Sequence, residues 1–368
     1  MAGSEAADEH GGGTARSGWW PLLGRVARPA LRLLVIAAVI EFALLPQIAG
    51  ARKSIHLLVD ISPAWLVVGL ACEALSLLSY ARLTQVTLDA RGVPFAQLLR
   101  VDLATMAVSH VVPAGSAVGI GLGYRLLTRI GVPPDKALSG KALQTVGSAV
   151  VLNLLLACSL VTTLVLHGND PLYLPIAAAG LLLLVGAGAT AVLLVRNEER
   201  VTDTLVRVAG RLPKVRPQSV RGLLSTLAAT LRRLGADPAF LRRSVGWAAA
   251  NWLFEAAALW ACVRAFGHTL GPVGLLVAHG LASAAAALPI TPGGLGVVEG
   301  VLVPVLVAFD TPRGIAILGV VAFRLANFWL PIPIGFASYA RLQFQFRFQH
   351  GTVDDEEGPG GSGLWPAG

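Results

Sequence analysis

The stretch LPITPGGLGVVEG occupies residues 288–300 and interrupts an apolar region that extends from residue 272 to residue 310. It contains two prolines, Pro289 and Pro292, and four glycines. Proline lacks a backbone N–H and favours the end of a helix, and glycine adopts backbone conformations that other residues avoid. The stretch therefore predicts a break in a helix, inside a region that is apolar enough to enter a membrane.

The composition of the whole chain indicates an integral membrane protein. Of the 368 residues, 55% are hydrophobic and 14% are charged, and the mean hydropathy is +0.68. These values exclude an ordinary soluble domain. A spanning helix needs about 20 consecutive apolar residues. Six runs approach or exceed this length and predict six full spans, at residues 31–50, 62–81, 142–166, 172–195, 244–264 and 314–340.

A second broken region, residues 101–127, contains the sequence VVPAGSAVG. Its first arm, residues 101–112, would be about 18 Å long as a helix, roughly half of a hydrocarbon core. Arg129, Lys141 and the basic segment 196–243 follow this region, and positive charges near spans stay cytoplasmic. These charges are cytoplasmic if the region enters and leaves the membrane on the same side. We therefore predict a re-entrant hairpin.

The predicted fold is an all-α polytopic membrane protein with about eight membrane regions, namely six full spans and two broken regions. The region 272–310 fits either a hairpin or two crossings, and both choices leave the two termini cytoplasmic. If both regions are hairpins, they enter from opposite sides, which indicates an inverted repeat. Paired broken segments in two halves of a chain are typical of the central site of a transporter.

The chain divides into one membrane domain and two tails. The domain covers residues 25–345, residues 1–24 predict a disordered cytoplasmic tail, and residues 346–368 predict a disordered acidic, Gly-rich tail. Within the domain, the segment 196–243 places leucines at helical spacing beside arginines. This pattern fits a basic amphipathic helix on anionic headgroups, and it equally fits a helical hairpin folded on itself.

The break at residues 288–300 has the chemistry of a binding site. We expect Thr291 to cap a new helix, with Pro292 at its first position. Gly293 and Gly294 would then let a phosphate approach the exposed N–H groups at the positive end of that helix. Two prolines and two adjacent glycines exceed what close packing requires, so a functional break is the favoured interpretation.

Helix packing is the alternative role for the other glycines. Gly296 and Gly300 form a small-xxx-small face, and Gly115, Gly119 and Gly123 form another. For the second set, packing is favoured over ligand contact.

Charged residues inside apolar runs form a second group of candidates, because each costs about 2.5–3.5 kcal/mol at a helix centre. For Glu41 and Glu73, a structural hydrogen bond is favoured. Glu255 has Asn251 one turn earlier on the same face, which indicates a polar pathway. We expect Glu299 and Arg324 to meet, either as a structural salt bridge or in contact with a substrate. The candidates inside apolar runs are therefore Glu41, Glu73, Asn251, Glu255, Glu299 and Arg324.

No catalytic or metal-binding motif accompanies these charges in the sequence. His110 and His279 lie in the broken regions, but no second ligand follows at metal spacing. The cysteines Cys72, Cys158 and Cys262 lie in apolar runs and fit neither a disulfide framework nor a zinc site. We therefore expect no metal, no cofactor and no enzymatic activity. The net charge of +8 lies beside the spans and indicates contact with a membrane surface and no nucleic acid.

Three segments together resemble one known family. LPITPGGLGVVEG resembles the hallmark of the lysylphosphatidylglycerol synthase transmembrane-region family, also called the flippase-like family. The sequence SHVVPAGSAVGIGLGYRLLTRIGVPPDKAL is similar to the family's other Pro-Gly segment, which is followed by an Arg-bearing helix, and VVAFRLANFWLPIPIG resembles its final span. The resemblance covers most of residues 31–345.

The resemblance implies that the protein translocates a lipid or a lipid-linked molecule between the leaflets of the cell membrane. The excess of arginine over lysine predicts a bacterial source, and the basic residues beside the spans predict membrane lipids with anionic headgroups as partners. Some members are fused to an aminoacyl-transferase domain, and we expect a stand-alone member without it. A non-lipid secondary transporter, a membrane transferase and a non-catalytic partner of a lipid-modifying enzyme are the alternatives. The candidate substrate-binding residues are Thr291, Pro292, Gly293, Gly294, Glu299, Arg324, Pro113, Gly115, Arg125, Glu255 and Asn251.

Overall fold

The computed structural model describes residues 61–90, 92–112, 115–167, 237–286 and 291–356, and five single positions between residues 185 and 207. All regular elements in these ranges are helices. They are α1 (Pro63–Thr87), α2 (Phe95–Val111), α3 (Gly115–Arg129), α4 (Pro134–His167), α5 (Pro238–Ala265), α6 (Pro272–Ala286), a 3₁₀ turn (Pro292–Gly294), α7 (Val297–Ala308), α8 (Arg313–Arg324), a π turn (Leu325–Trp329) and α9 (Pro331–Glu356).

Several sequence predictions lie outside the described residues. These are the tail 1–24, the spans 31–50 and 172–195, Glu41, Pro113, most of the segment 196–243 and the end of the tail 346–368. Helix α9 ends at Glu356, so it continues into the segment 346–368.

Long apolar helices make this a membrane protein. Within the described residues, three helices are long and apolar enough to cross a membrane, namely Pro63–Thr87, Pro134–Val165 and Arg313–Phe346. Helix α5 covers the predicted span 244–264. Its start is fixed locally, because the Asp237 carboxylate accepts the N–H groups of Ala239 and Phe240 at 2.9 and 3.0 Å.

The first broken region is a helical hairpin, as predicted. Helices α2 and α3 have 17 and 15 residues, or about 26 and 22 Å, and each is shorter than a hydrocarbon core of about 30 Å. They pack antiparallel, because a Cβ at Gly115 would overlap the Ser109 carbonyl and one at Gly123 would meet Thr105 at 3.4 Å. A Cβ at Gly119 would also collide with Ser109, so the predicted packing role of these three glycines is confirmed.

The second broken region is a hairpin as well. Helices α6 and α7 have 15 and 12 residues, or about 22 and 18 Å, so each is too short to span a core of about 30 Å. Gly274 near the start of α6 lies against Phe309 after the end of α7. At the other end, a Cβ at Gly294 would meet Ala286 at 3.2 Å. These contacts favour the hairpin over two crossings.

The bases of the two hairpins lie at opposite ends of the long helices. Leu98 and Leu127, from the base of the first hairpin, belong to one apolar cluster with Leu88, which directly follows α1. Leu306, from the base of the second, clusters with Val263 near the end of α5. The end of α5 lies beside the start of α1, where the Ser62 N–H donates to the Ala265 carbonyl at 3.0 Å. The two hairpins therefore point towards each other from opposite ends of the long helices.

Labelling of single cysteines tests this arrangement. In a variant whose native cysteines are replaced by serine, Arg313→Cys should react with an impermeant thiol reagent added to intact cells. Arg129→Cys should react only after the membrane is permeabilised. Both arginines are exposed and lie at the bases of different hairpins. Labelling of both positions from the same side would contradict the opposed hairpins.

Candidate functional site

The tips of both hairpins meet at one aromatic ring in the last span. The His110 ring, near the tip of the first hairpin, stacks on the Phe328 ring with 4.6 Å between centroids. A Cβ at Gly293, at the tip of the second hairpin, would collide with the same ring. The Arg324 guanidinium lies 4.4 Å from its centroid. Phe328 belongs to the π turn Leu325–Trp329, a type of turn found often at functional sites.

The break itself is formed by glycines in the left-handed region. Gly293, Gly294 and Gly296 have φ values of 57°, 69° and 80°, which other residues adopt only with strain. These conformations end the short 3₁₀ turn and delay the next helix until Val297. The predicted break is therefore present, and its glycines are required by the backbone.

The predicted capping role of Thr291 and Pro292 is wrong. The helix begins at Val297 with Gly296 as its N-cap, because the left-handed glycines cannot continue a helix from Pro292. The Thr291 carbonyl accepts the Gly294 N–H at 3.2 Å. The Thr291 hydroxyl has no hydrogen-bond partner in the described part of the chain.

An internal carboxylate occupies the start of α7. Glu299 reaches back and accepts the Gly296 N–H at 2.6 Å. A negative charge at this position is favoured by the helix dipole and satisfies a backbone donor that has no partner within the helix. The place where the sequence predicts a phosphate is thus taken by Glu299, and an external anion would have to displace it.

Glu299 and Arg324 form the buried ion pair that the sequence predicts. Arg324 Nε donates to Glu299 Oε1, and the two side chains are only 4% and 5% exposed. The same guanidinium donates to the Gly293 carbonyl at 3.3 Å. The pair therefore connects the tip of the second hairpin to the last span.

A cavity of about 350 Å³, lined by charged and polar side chains together with apolar ones, adjoins these tips. Its wall includes residues of α1, both hairpins, α4, α5, α8 and the π turn. Of the predicted site residues, Gly293, Arg324, Asn251 and Glu255 line it. Charged groups that the sequence did not assign to the site also line it, namely Glu73, Asp102 and Lys141.

One amide joins two carboxyl groups in this wall. Asn327 Nδ2 donates to Glu73 Oε1 and to Glu255 Oε1, each at 3.1 Å. Asn251 donates to Ser76 Oγ at 2.6 Å, and it lines the same cavity as Glu255, with which it shares a helix face as the sequence predicts. The sequence analysis missed Asn327, although a polar residue in an apolar span three positions from Arg324 was a usable signal.

A second buried ion pair closes another part of the wall. Lys141 Nζ lies 2.7 Å from Asp102 Oδ1, and Gln144 accepts from the same ammonium at 2.8 Å. The Thr84 hydroxyl donates to Asp102 Oδ2 at 2.6 Å. The sequence analysis counted Lys141 among the basic residues outside the membrane. Its burial shows that Lys141 is part of the helix core, because Asp102 on α2 supplies the opposite charge.

Three other candidates lie away from the cavity. Arg125 is exposed on α3 towards the base of the first hairpin. Gly115 packs against Ser109 and does not line the cavity. Gly294 packs against Val298 and Ala286. The structure thus gathers the charged candidates and leaves most of the glycine candidates in packing roles.

Long apolar helices and two helical hairpins whose tips meet beside a cavity lined by charged side chains define an all-helical membrane protein. Residues 30–335 match the family described as the lysylphosphatidylglycerol synthase TM region. The chain belongs to this family, as its three motifs indicated. The family relates it to lipid modification or lipid transport in membranes. No curated protein sequence matches the chain.

Removal of one partner of the Glu299–Arg324 pair should destabilise the fold. Arg324→Gln or Glu299→Gln leaves a buried charge without its partner, at a cost of about 3–5 kcal/mol. The double variant should recover most of the loss, because two neutral amides replace the pair. Thermal unfolding in detergent measures all three, with the exposed Arg242→Gln as the matched control. Additive losses in the double variant would contradict the pairing.

Glycine substitutions distinguish the break from the helix that follows it. Gly293→Ala places a Cβ on the Phe328 ring at a φ of 57°, and we expect a loss of about 1–3 kcal/mol. Gly300→Ala adds a Cβ that meets no described atom, inside a helix, and should be neutral or stabilising by up to about 1 kcal/mol. Melting temperatures of the two variants measure the difference, and equal losses would contradict the break geometry.

Proposed function

We propose that the protein translocates a lipid or a lipid-linked molecule between the leaflets of the cell membrane. The observation that carries this proposal is the polar cavity between two hairpin tips that enter from opposite sides. Backbone that is not helical is tolerated at membrane depth only where protein or a watery cavity surrounds it. Polar side chains at this depth can solvate a lipid headgroup, which the hydrocarbon core cannot do.

The size of the cavity fits a headgroup and not a whole lipid. Ligand pockets measure about 300–1,000 Å³, and about 350 Å³ is at the lower end of that range. Each acyl chain of a lipid extends across roughly 15 Å, half of a hydrocarbon core of about 30 Å. The chains would therefore remain in the membrane, against exposed apolar side chains such as Leu75, Leu78 and Leu253.

The charges of the cavity supply groups for both ends of a polar headgroup. Arg324 and Lys141 are cations within buried pairs, and exchange of Glu299 for a phosphate would give an anionic headgroup a partner at Arg324. Glu73 and Glu255 offer acceptors on another wall. Specifically, an anionic headgroup binds Arg324 in place of Glu299. After the headgroup leaves, Glu299 re-forms the ion pair with Arg324.

We assign the base of the first hairpin to the cytoplasm. Arg129 and Lys136 lie at this end, and Arg129 contacts Phe346 of α9, so the C-terminal helix ends on the same side. Positive charges beside spans are retained in the cytoplasm, which supports this orientation and a cytoplasmic C-terminus.

Reconstitution tests translocation directly. The protein is placed in phosphatidylcholine vesicles with a trace of phosphatidylglycerol that carries a fluorophore on one acyl chain. Dithionite added outside bleaches only the outer leaflet unless the probe moves across. We expect bleaching of the inner pool with protein and none without it. An equal bleached fraction in both would contradict the proposal and favour a non-lipid transporter or a non-catalytic partner of a lipid-modifying enzyme.

The ion pair separates a structural role from a role in transport. The double variant Glu299→Gln with Arg324→Gln should unfold near the wild-type temperature and yet fail to move the labelled phosphatidylglycerol, because no guanidinium remains to receive a phosphate. The exposed Arg242→Gln should transport as the wild type does. Full transport by the stable double variant would remove Arg324 from the proposed binding site.

A further inference from the structure

The charges that line the cavity do not balance. Arg324 is bound by Glu299, and Lys141 is bound by Asp102. The remaining carboxyl groups, Glu73 and Glu255, both accept hydrogen bonds from the neutral amide of Asn327, which is their one shared donor among the described residues. Two ionised carboxylates at one site would leave negative charge that no described group compensates at hydrogen-bond distance.

One oxygen of this cluster lacks any partner. Glu73 is 4% exposed and lines the cavity, and its Oε2 atom makes no hydrogen bond to the described residues. A buried carboxylate oxygen without a partner is costly, and an uncompensated buried charge is more costly still. A proton on Oε2 would neutralise the carboxylate and remove the cost of burying its charge.

The geometry favours a proton over a metal cation. Hard cations such as Ca²⁺ take six to eight oxygen ligands. Here the group between the carboxylates is the Asn327 amide, whose N–H hydrogens carry partial positive charge and would repel a cation. Within the described residues, no group of three or more histidine, cysteine, aspartate or glutamate side chains is placed to hold a metal ion.

We propose that Glu73 and Glu255 together hold one exchangeable proton, and that its uptake and release are coupled to movement of the lipid. The coupling rests on the proposed function, whereas the proton site does not. Water in the cavity delivers the proton through the half-buried Glu255, and an O–H bond forms at Glu73 Oε2. Release breaks that bond, returns the proton to water on the other side and leaves a carboxylate.

Other titratable groups face the pair or its cavity from each packed element. They are Cys72 and Tyr80 on α1, Asp102 and His110 on α2, Lys141 on α4, Cys262 on α5, His279 on α6 and Arg324 on α8. His110 Nδ1 and His279 Nε2 lack hydrogen-bond partners in the described ranges, so they are the competing proton carriers that the experiment must separate.

Infrared spectroscopy of the purified protein in lipid nanodiscs detects the proton. The wild type should show the C=O stretch of a protonated carboxyl group at neutral pH, and the band should vanish at alkaline pH. Glu73→Gln and Glu255→Gln should each remove it, because a single carboxylate beside the Asn327 amide carries the same net charge as the wild-type pair with one proton, so no proton is needed to limit the charge. Asp310→Asn alters an exposed carboxylate and should leave the band intact. A band that persists in both glutamine variants, or is absent from the wild type, overturns the proton site.

Coupling is measured in vesicles with the labelled phosphatidylglycerol and an imposed pH difference. One proton moved per lipid shifts the steady-state ratio of probe between leaflets about tenfold per pH unit, since one unit is 1.36 kcal/mol. In Glu73→Gln and Glu255→Gln the ratio should stay near one. A ratio near one in the wild type, with translocation intact, overturns the coupling and leaves the translocase standing. An infrared band without any translocation instead overturns the proposed function and leaves the proton site standing.

Discussion

The buried pair of Glu299 and Arg324 is the interaction on which the arrangement of the site depends. Two charges taken out of water are tolerated only when the pair is close and its remaining donors and acceptors are satisfied. The Gly296 N–H, the Gly293 carbonyl and the Phe328 ring meet these demands. The pair therefore fixes the tip of the second hairpin against one face of the last span, and the first hairpin joins them through His110.

The features that the sequence predicts come from residues that are unusual in an apolar helix, namely helix-breaking residues and charged residues. Proline and glycine inside apolar runs predict the first hairpin and the break in the second region, and isolated charges predict that Glu299 meets Arg324. The start of α7 was not predictable from Thr291 and Pro292, because three glycines in the left-handed region, Gly293, Gly294 and Gly296, delay it to Val297. The contacts of Asn327 and Lys141 depend on neighbours more than 35 positions away, which no local pattern reports. Arg125 was assigned by resemblance and lies outside the cavity.

The groups that stabilise the cavity are also the groups that the proposed transport would use. Each buried ion in the wall is paired or shares a hydrogen bond, so the cavity is stable without a substrate, and a headgroup can enter only by exchange for an internal partner. Exchange of this kind costs little net energy, because one set of charge-assisted hydrogen bonds replaces another. A site built on exchange binds weakly enough to release its ligand on either side, which a translocase requires.

The central claim is that a polar, water-accessible cavity exists within the membrane where the two hairpins meet. Two single substitutions, Ser283→Cys and Leu253→Cys, are made in a variant without native cysteines. Ser283 lines the cavity, and Leu253 lies on the exposed apolar face of α5. A small hydrophilic thiol reagent applied to the protein in lipid bilayers should modify the first and not the second, because only a thiol in contact with water forms the reactive thiolate. Modification of Leu253→Cys with protection of Ser283→Cys would contradict the account.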